Sequence, residues 1–409
     1  MSSSTAQIHL PQAPGDASDA ELCFVYFGND CAAENRTSSH HLARCLSQTF
    51  PVLYVEAPGF RAPQASKRDL KKIVRKLVLA LRGPRRVSER MWQLTLPQIP
   101  FHGLRWVRWL NAVLGGFSCR RAMRRAGLRA PILWFMTPHV QHLTGKLGER
   151  FVVYYCVDDW AAMPDVDGRA ISQMDYELTK KAGQLFVTAR HLLNLKKDLN
   201  PTATYSPHGV DFELFRKAAD ASLPVARGAA DLRHPIIGFF GLIDTWFDSE
   251  LLAETIKARP DWTFLLIGRV ATDIDILRSA PNVRIVGTQP YQTLPDWARC
   301  FDVAIIPFRR NRLVMSVNPL KLREYLATGK PVVSTWMPEV EQFSEYIGVA
   351  NDAKSFVQQI ENALSQQSPE QEQARMRAVA GLSWEARTEQ ALAQVRRQLR
   401  QRPAGKKAK

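Results

Sequence analysis

The chain has 409 residues, of which 45% are hydrophobic and 23% charged, a composition typical of a folded globular protein with room for two domains. No apolar run reaches the length of a membrane-spanning helix, which argues against an integral membrane protein. The six cysteines show neither paired nor metal-ligand spacing, so disulfide-stapled and zinc-finger folds are not expected. No leader-like segment precedes the first apolar run at Leu22, and we expect a cytoplasmic protein.

Short apolar runs alternate with helical patterns in the first half of the chain, as in parallel sheets covered by helices. A helix is predicted at Ser38–Ser47. The predicted strands are Leu22–Phe27, Val52–Val55, Ile132–Phe135, Val152–Tyr155 and Gln184–Val187. Residues 1–20, rich in Ser, Ala and Pro without periodicity, are expected to be disordered, as is the basic end at 402–409.

The net charge of +16 is concentrated in residues 61–129, which hold eighteen Lys and Arg and two acids. The spacing predicts an amphipathic helix over Arg68–Leu81, whose polar face is formed by Lys71, Lys72, Arg75 and Lys76. A second apolar stripe at helical spacing extends from Trp106 to Phe117. It is followed by Arg120, Arg121, Arg124 and Arg125.

Two interpretations of the segment 61–129 remain open. An amphipathic basic helix can lie on an anionic membrane face, with Trp and aliphatic side chains among the headgroups and cations at the lipid phosphates. Alternatively, both helices pack their apolar faces on the sheet. The charge density and the Trp pair favour the membrane. Nucleic acid is not expected as a partner, because no helix-turn-helix, zinc-finger spacing or RNA-recognition motif is present.

The second half of the chain begins after residues 219–234, a stretch with Pro224 and Gly228 but little periodicity, which we interpret as a linker. The predicted strands beyond it are Ile236–Phe240, Phe264–Ile267, Val283–Val286, Val303–Ile306 and Val332–Ser334. Short continuous apolar runs are typical of parallel strands buried on both faces. Two such domains leave a cleft between them, and open α/β sheets bind ligands at the carboxyl ends of their strands.

The segment Asp302–Thr335 is the most informative. Its strand is followed by a basic loop and by a predicted helix, Pro319–Ala327, with Asn318 as its N-cap. A helix N-terminus at the end of a strand can bind an anion, and Lys321 in its first turn would add a cation for a phosphate. Glu324 can accept hydrogen bonds from ribose hydroxyls. An ordinary helix behind a solvated basic loop is the alternative.

Three stretches of sequence carry a family resemblance. NPLKLREYLATGKPVV, at residues 318–333, resembles the donor-site motif of GT-B glycosyltransferases, especially those similar to family 4. SPHGVDFELF, at 206–215, resembles the interdomain signature of that family, with His208 where Asn is usual, and IGFFGLIDTWFD, at 237–248, resembles the first strand and loop of its donor domain. The resemblance is strong from Cys156 onward and weak over Leu22–Glu56.

This resemblance implies an α/β protein of the GT-B fold, in which two Rossmann-like domains face a cleft and a C-terminal helix packs back on the N-terminal domain. We place the acceptor-binding domain at 21–218 and the nucleotide-sugar-binding domain at 235–380. The C-terminal helix is placed at 381–401.

The resemblance also implies that Glu324 grips the ribose of the donor and that the preceding turn holds its diphosphate. The predicted donor-side residues are Glu324, Lys321, Asn318, Pro319, Arg269, Arg309, Arg310, Tyr291 and Gly241. The predicted acceptor-side residues are Asn29, Arg36, His41, Glu177 and His208. For His41 a position on the helix surface is the favoured alternative. No metal is expected because no DxD-type cluster is present, and no cofactor because the nucleotide sugar is a substrate.

Two neighbouring carboxylates, Asp158 and Asp159, follow a predicted buried strand at its cleft-facing end. An inverting transferase needs a base that takes the proton of the acceptor hydroxyl. Burial and a neighbouring negative charge raise the pKa of a carboxyl group towards that task. We therefore expect one of the two to be the catalytic base and favour Asp158. A turn or N-cap position suits the other.

The sequence departs from the family pattern at two places. Ser316 stands where retaining members have the first Glu of Glu-x7-Glu, and the Arg and Lys usual after the first C-terminal strand are missing. Retaining or inverting stereochemistry therefore stays open. The departures bring the chain nearer to membrane-associated exopolysaccharide enzymes, including the xanthan-type glucuronosyltransferase group. Arg269, Lys321 and the arginines at 309–312 are candidates for the missing positive charge.

The predicted function is a metal-independent hexosyltransferase, peripheral on the inner membrane face. It would move a sugar from a UDP- or GDP-sugar to a lipid-linked or growing polysaccharide acceptor. An inactive GT-B scaffold and a nucleotide-sugar epimerase of GT-B shape are the alternatives. The intact pair Lys321 and Glu324 argues against the first, and the basic amphipathic segment argues against the second.

Overall fold

The computed structural model describes residues 22–30, 36–57, 82–96, 105–164 and 166–401, except for the side chains of residues 105 and 108. The predicted helix Arg68–Leu81 and the ends 1–20 and 402–409 lie outside these residues. Two separate sheets, each covered by helices on both faces, organise the described chain.

The first sheet has eight strands. They are β1 Phe24–Gly28, β2 Val52–Glu56, β3 Arg85–Arg86, β4 Met91–Thr95, β5 Ile132–Phe135, β6 Phe151–Cys156, β7 Gln184–Val187 and β8 Thr204–Tyr205. Their order is β3-β4-β2-β1-β5-β6-β7-β8, and all neighbours are parallel except β3 and β4. The helices that follow these strands are α1 Ser38–Thr49, α2 Arg105–Ala126, α3 Gly168–Lys181, α4 Arg190–Lys196 and α5 Phe212–Phe215.

The second sheet has six strands, all parallel. They are β9 Ile236–Phe240, β10 Thr263–Ile267, β11 Val283–Val286, β12 Val303–Ile306, β13 Val332–Thr335 and β14 Gly348–Ala350, in the order β11-β10-β9-β12-β13-β14. The helices of this half are α6 Ser249–Ala258, α7 Asp275–Arg278, α8 Leu294–Ala298, α9 Arg312–Met315, α10 Leu320–Ala327, α11 Ala353–Ser365, α12 Pro369–Ala380 and α13 Trp384–Gln401.

The predicted fold class is confirmed. Every predicted strand is present, with ends shifted by one or two residues at most, because short apolar runs bury both of their faces in parallel sheets. The strands β3, β4, β8 and β14 were missed, since they lie at or near sheet edges and lack a continuous apolar run.

The C-terminal helix α13 packs back on the N-terminal domain, as predicted. Its buried residues Trp384, Ala391, Leu392 and Val395 join the core on one face of the first sheet. Gly209 makes this return possible, because a Cβ atom at that position would lie 2.9 Å from the backbone of Trp384. No helix of the described chain is long and apolar enough to cross a membrane.

Candidate functional site

A cavity of about 390 Å³ lies between the two domains. From the N-terminal domain it is lined by Asn29, Thr37, Ser38, Ser39, Met136, Val157, Asp158, Trp160, Met163 and His208. From the C-terminal domain it is lined by Trp246, Phe308, Leu313, Val317, Asn318, Pro319, Leu320 and Lys321. The lining residues follow the carboxyl ends of strands β1, β5, β6 and β8 in the first sheet and of β9 and β12 in the second, and the strand order switches between β1 and β5 and between β9 and β12. Ligand sites of open α/β sheets are found at this location.

Asp158 lines the cavity directly after strand β6. Burial, and secondarily the negative charge of Asp159, raises the pKa of Asp158 to about 7. A carboxyl group with a pKa near neutrality can accept a proton at physiological pH and stabilise it during reaction. Asp158 therefore stays a candidate for the catalytic base.

Asp159 has a different environment. Its Oδ2 accepts a hydrogen bond from Arg312 Nε at 3.0 Å, so an ion pair joins the two domains beside the cavity. The Asp159 side chain is 12% exposed and that of Arg312 is 74% exposed. Asp159 also occupies the N-cap position of the short helix Trp160–Ala162, but its side chain caps no backbone N–H there. The carboxylate of Asp159 is thus held by a cation, and no such partner of Asp158 is found among the described residues.

The donor-motif helix α10 begins one residue later than predicted. Pro319 occupies its N-cap position, and no side chain caps the helix. The prediction that Asn318 is the N-cap is wrong, because its side-chain oxygen accepts a hydrogen bond from Arg323 and caps no backbone N–H. Asn318 Nδ2 donates to Thr188 O and to Glu339 Oε2, each at 2.8 Å. No side chain caps the N–H groups of the first turn of α10, of which that of Leu322 donates to Pro319 O.

Lys321 points from the first turn of α10 into the cavity. Its Nζ lies 5.3 Å and 5.5 Å from the ring centres of Phe239 and Phe308. Gly241 leaves room for this side chain, since a Cβ atom there would lie 2.0 Å from Lys321 Cε, and its φ of +140° also favours glycine. Burial lowers the pKa of Lys321, although the neighbouring Glu324 carboxylate acts in the opposite direction.

Glu324 lies one turn further along α10, near Tyr291. Burial raises the pKa of Glu324, and the charge of Lys321 opposes this shift. The buried ring of Tyr291 lies at the domain boundary, with its centre 5.4 Å from that of His41 and 5.6 Å from that of Phe215, and the Arg36 guanidinium lies 5.8 Å from the Tyr291 ring centre. Residues predicted for the donor and acceptor sides therefore meet at one domain contact.

The two predicted acceptor-side histidines are buried. The favoured surface position of His41 is wrong, because α13 covers this part of α1 and Trp384 stacks on the imidazole at 4.8 Å. His208 lines the cavity and also lies against Trp384. Burial lowers the pKa of each histidine to about 3, so both rings stay neutral at physiological pH.

The structure does not bring all predicted cations to the cavity lining. Arg269 is exposed after strand β10, Arg309 pairs with Glu250 at 3.5 Å, and the Arg310 guanidinium lies 5.1 Å from the Trp336 ring centre. Arg312, from the same basic loop, is the arginine that reaches the cleft, through its pair with Asp159. Part of that loop forms the short helix α9.

Glu177 lies at a different cavity of the N-terminal domain. Its carboxylate accepts hydrogen bonds from Gln141 Nε2 at 2.8 Å and Gln173 Nε2 at 3.0 Å, and the three residues line a space of about 250 Å³ together with His139. Glu177 is therefore not among the residues that surround Asp158.

Sequence analysis missed the aromatic lining of the interdomain cavity. Trp160, Trp246 and Phe308 each follow a strand that ends at the cavity. Their positions shortly after predicted strands are a signal that could have identified them. Trp246 lies in the loop that lacks the Arg and Lys usual in the family that the chain resembles, so an apolar wall stands there.

Known proteins resemble this chain in sequence and in fold. Residues 234–366 match the family model described as Glycosyl transferases group 1. Over 232 residues, the chain is 28% identical to TuaH of Bacillus subtilis strain 168, whose name describes it as a glycosyltransferase of teichuronic acid biosynthesis. The match covers 52% of this chain and 57% of TuaH, so it spans little more than half of that relative.

Solved structures share the fold over nearly the whole chain. Sucrose-phosphate synthase of Thermosynechococcus elongatus has a TM-score of 0.67 and 16% identity, covering 92% of this chain and 99% of its own. HepE of Anabaena, in complex with UDP-glucose, has a TM-score of 0.62 and 12% identity, covering 92% of this chain and 100% of its own. The E. coli trehalose-6-phosphate protein bound with UDP-2-fluoro glucose has a TM-score of 0.64 and 11% identity, covering 93% and 99%. At these identities the likeness concerns the fold.

Proposed function

We propose that this chain, whose residues 234–366 match the group 1 glycosyl transferase model and which has a GT-B fold, transfers a sugar from a nucleoside-diphosphate sugar to a glycan acceptor. The observation that carries the proposal is the interdomain cavity, with Asp158 on one wall and Lys321 with the start of α10 on the other. HepE binds UDP-glucose, which supports a nucleoside-diphosphate sugar as the donor. The name of TuaH refers to teichuronic acid biosynthesis, which supports a glycan as the product.

The C-terminal wall supplies the groups that a donor needs. The N-terminal end of α10 and the ammonium of Lys321 would hold the diphosphate, and Glu324 would bind the ribose hydroxyls. Negative charge builds up on the diphosphate as the bond to the anomeric carbon breaks. A fixed cation and oriented N–H groups stabilise this charge in a partly buried site. No metal is required in this mechanism, and metal independence remains a prediction.

The N-terminal wall supplies the base. Asp158 would take the proton of the acceptor hydroxyl while the acceptor oxygen bonds to the anomeric carbon and the diphosphate leaves with the electron pair. A single displacement of this kind inverts the anomeric carbon. The apolar surfaces of Trp160, Trp246 and Phe308 suit the faces of sugar rings and limit the entry of water.

The experiment that tests this function combines calorimetry with a transfer assay. The protein is titrated with UDP- and GDP-sugars, and the donor that binds is then incubated with protein and a lipid extract. We expect one nucleotide class to bind and labelled sugar to appear on a lipid-linked or polymeric product. Binding without transfer would favour a scaffold, and interconversion of the free donor would favour an epimerase.

Helix α2 supports a membrane-linked acceptor. Its inner face is buried at Val107 and Cys119, whereas its outer face exposes Trp106, Trp109 and Phe117 at 62%, 67% and 56%. The apolar stripe is therefore not packed on the sheet. Exposed arginines continue the same helix at Arg120, Arg121, Arg124 and Arg125. Adjacent aromatic and cationic surfaces match the interface of an anionic bilayer, and we propose that α2 binds peripherally to the inner membrane face.

Cosedimentation with lipid vesicles checks the membrane proposal. We expect the protein to bind phosphatidylglycerol vesicles and to bind phosphatidylcholine vesicles weakly. Changing Arg121 and Arg124 to Glu should weaken binding at least about tenfold, because each cation near an anionic surface contributes about 1 kcal/mol. The matched control reverses the exposed residues Lys257 and Arg397, which lie on other helices. Equal binding of both variants would contradict a role of α2.

A further inference from the structure

A buried carboxylate, Glu339, lies at the boundary between the domains. It belongs to the short helix Pro338–Phe343 after strand β13 and is 1% exposed. Its Oε1 accepts the backbone N–H of Arg190 at 2.7 Å, and its Oε2 accepts the hydroxyl of Tyr205 at 2.6 Å. Arg190 begins helix α4 and Tyr205 ends strand β8, so both donors belong to the N-terminal domain.

The same carboxylate also holds the start of the donor motif. Asn318 Nδ2 donates to Glu339 Oε2 at 2.8 Å and to the carbonyl oxygen of Thr188 in the N-terminal domain at 2.8 Å. Asn318 Oδ1 accepts a hydrogen bond from Arg323, which is buried on α10. The segment that leads into α10 is thus fixed to the opposite domain by side chains that no solvent reaches.

This arrangement can form only when the domains are together. An ionised carboxylate is an acceptor without protons to donate, and here it meets donors from the backbone, a phenol and two amides, those of Asn318 and Gln342. Separation of the domains would remove the Arg190 and Tyr205 donors from Glu339. Water would replace these donors after separation, but hydrogen bonds to a charged group still contribute net stability, so the two bonds favour the closed arrangement. Lys321 lies three residues beyond Asn318, and Asp158 lies on the other domain.

We propose that Glu339 is a positioning residue, which closes the two domains around the cavity and sets the donor helix at its working distance from Asp158. The proposal rests on the proposed transferase function, which it deepens. Glu339 does not line the cavity and acts through Asn318 and α10. Donor binding itself uses groups of the C-terminal domain, so closure should affect the reaction more than donor affinity.

The substitution Glu339→Gln tests this role with little change of shape. Glutamine removes the negative charge and replaces one oxygen by an NH₂ group, which cannot accept the Arg190 N–H or the Asn318 amide. We expect kcat to fall roughly 10- to 100-fold, because small misplacement of reacting groups has an effect of this size. The donor Kd from calorimetry should stay within about threefold of wild type. Small-angle X-ray scattering of the donor-free variant should show a larger radius of gyration.

The matched control is Glu341→Gln, on the same short helix, where the exposed carboxylate accepts a hydrogen bond from Trp336 Nε1 within its own domain. It should behave as wild type in all three measurements. Tyr205→Phe, which removes one donor, should shift kcat and the scattering in the same direction as Glu339→Gln. The effects of the two changes together should be less than additive.

Two results would overturn the proposal. In one, Glu339→Gln matches Glu341→Gln in kcat and in radius of gyration. In the other, kcat and donor affinity fall in parallel while the radius of gyration is unchanged, which would make Glu339 a support of the donor site alone. The scattering comparison needs no substrate. It therefore still tests domain closure if the protein transfers no sugar.

Discussion

Asp158→Asn should abolish measurable sugar transfer while donor affinity stays unchanged. Asparagine keeps the shape of the side chain but cannot accept the proton of the acceptor hydroxyl, and general base catalysis is typically worth about 10²- to 10⁴-fold in rate. The donor groups lie on the opposite wall of the cavity, so calorimetry should give the wild-type Kd. The measurement is release of nucleoside diphosphate in the presence of acceptor.

Asp159→Asn is the control for this prediction, because it changes the neighbouring carboxylate. It breaks the ion pair with Arg312 but leaves Asp158 in place. We expect a smaller loss of activity from it than from Asp158→Asn. If Asp158→Asn were fully active and Asp159→Asn were inactive, Asp159 would be the catalytic base.

The pH dependence gives an independent check on the base. Burial and Asp159 raise the pKa of Asp158 to about 7, so this carboxyl is protonated and inactive as a base below that pH. The rate should therefore rise as the pH increases through about 7 and then level off. His41 and His208 stay neutral over this range because burial lowers the pKa of each to about 3. Burial also raises the pKa of Glu324, so donor affinity is measured at each pH to separate its contribution.

Lys321→Met should weaken donor binding about 10- to 100-fold. Methionine retains an apolar stem between Phe239 and Phe308 and removes the ammonium. A hydrogen bond to a charged group contributes about 1.5–3 kcal/mol, which corresponds to the expected loss. Calorimetric titration with the donor that binds wild type gives the Kd. Glu324→Ala should also bind the donor more weakly. If the Glu324 carboxylate holds the ribose, this variant should bind the free nucleoside more weakly as well.

The control for this charge is Lys257→Met, on the exposed surface of α6. It should leave the Kd unchanged. If Lys321→Met bound the donor with wild-type affinity, the ammonium would have no part in holding the diphosphate, and Arg312 would become the candidate cation because it reaches the cleft.

The helix of the donor motif could be predicted from local sequence, except for its first residue. Pro319, Lys321 and Glu324 are close in the chain, so their helix, its direction and its place after strand β12 follow from local spacing. The start of α10 differed from the prediction at Asn318. Asparagine is a common N-cap, but here its side-chain oxygen accepts from Arg323, and its amide donates to Glu339 of the same domain and to Thr188 of the other domain, which is far away in the sequence.

Sequence alone determined most strands of the two sheets, the position of Asp158 after a strand and that of Lys321 at the start of a helix, because burial patterns and motif spacing are local properties. The return of the C-terminal helix was implied by the family resemblance. Only the tertiary structure decided which distant groups meet. Asp159 and Arg312 are 153 residues apart, and their pairing distinguishes the two adjacent carboxylates. The burial of His41 under Trp384 and the contacts of Glu339 likewise depend on how the domains pack. The physical reason is that a polar side chain takes its role from partners brought to it by packing, and no local pattern specifies those partners.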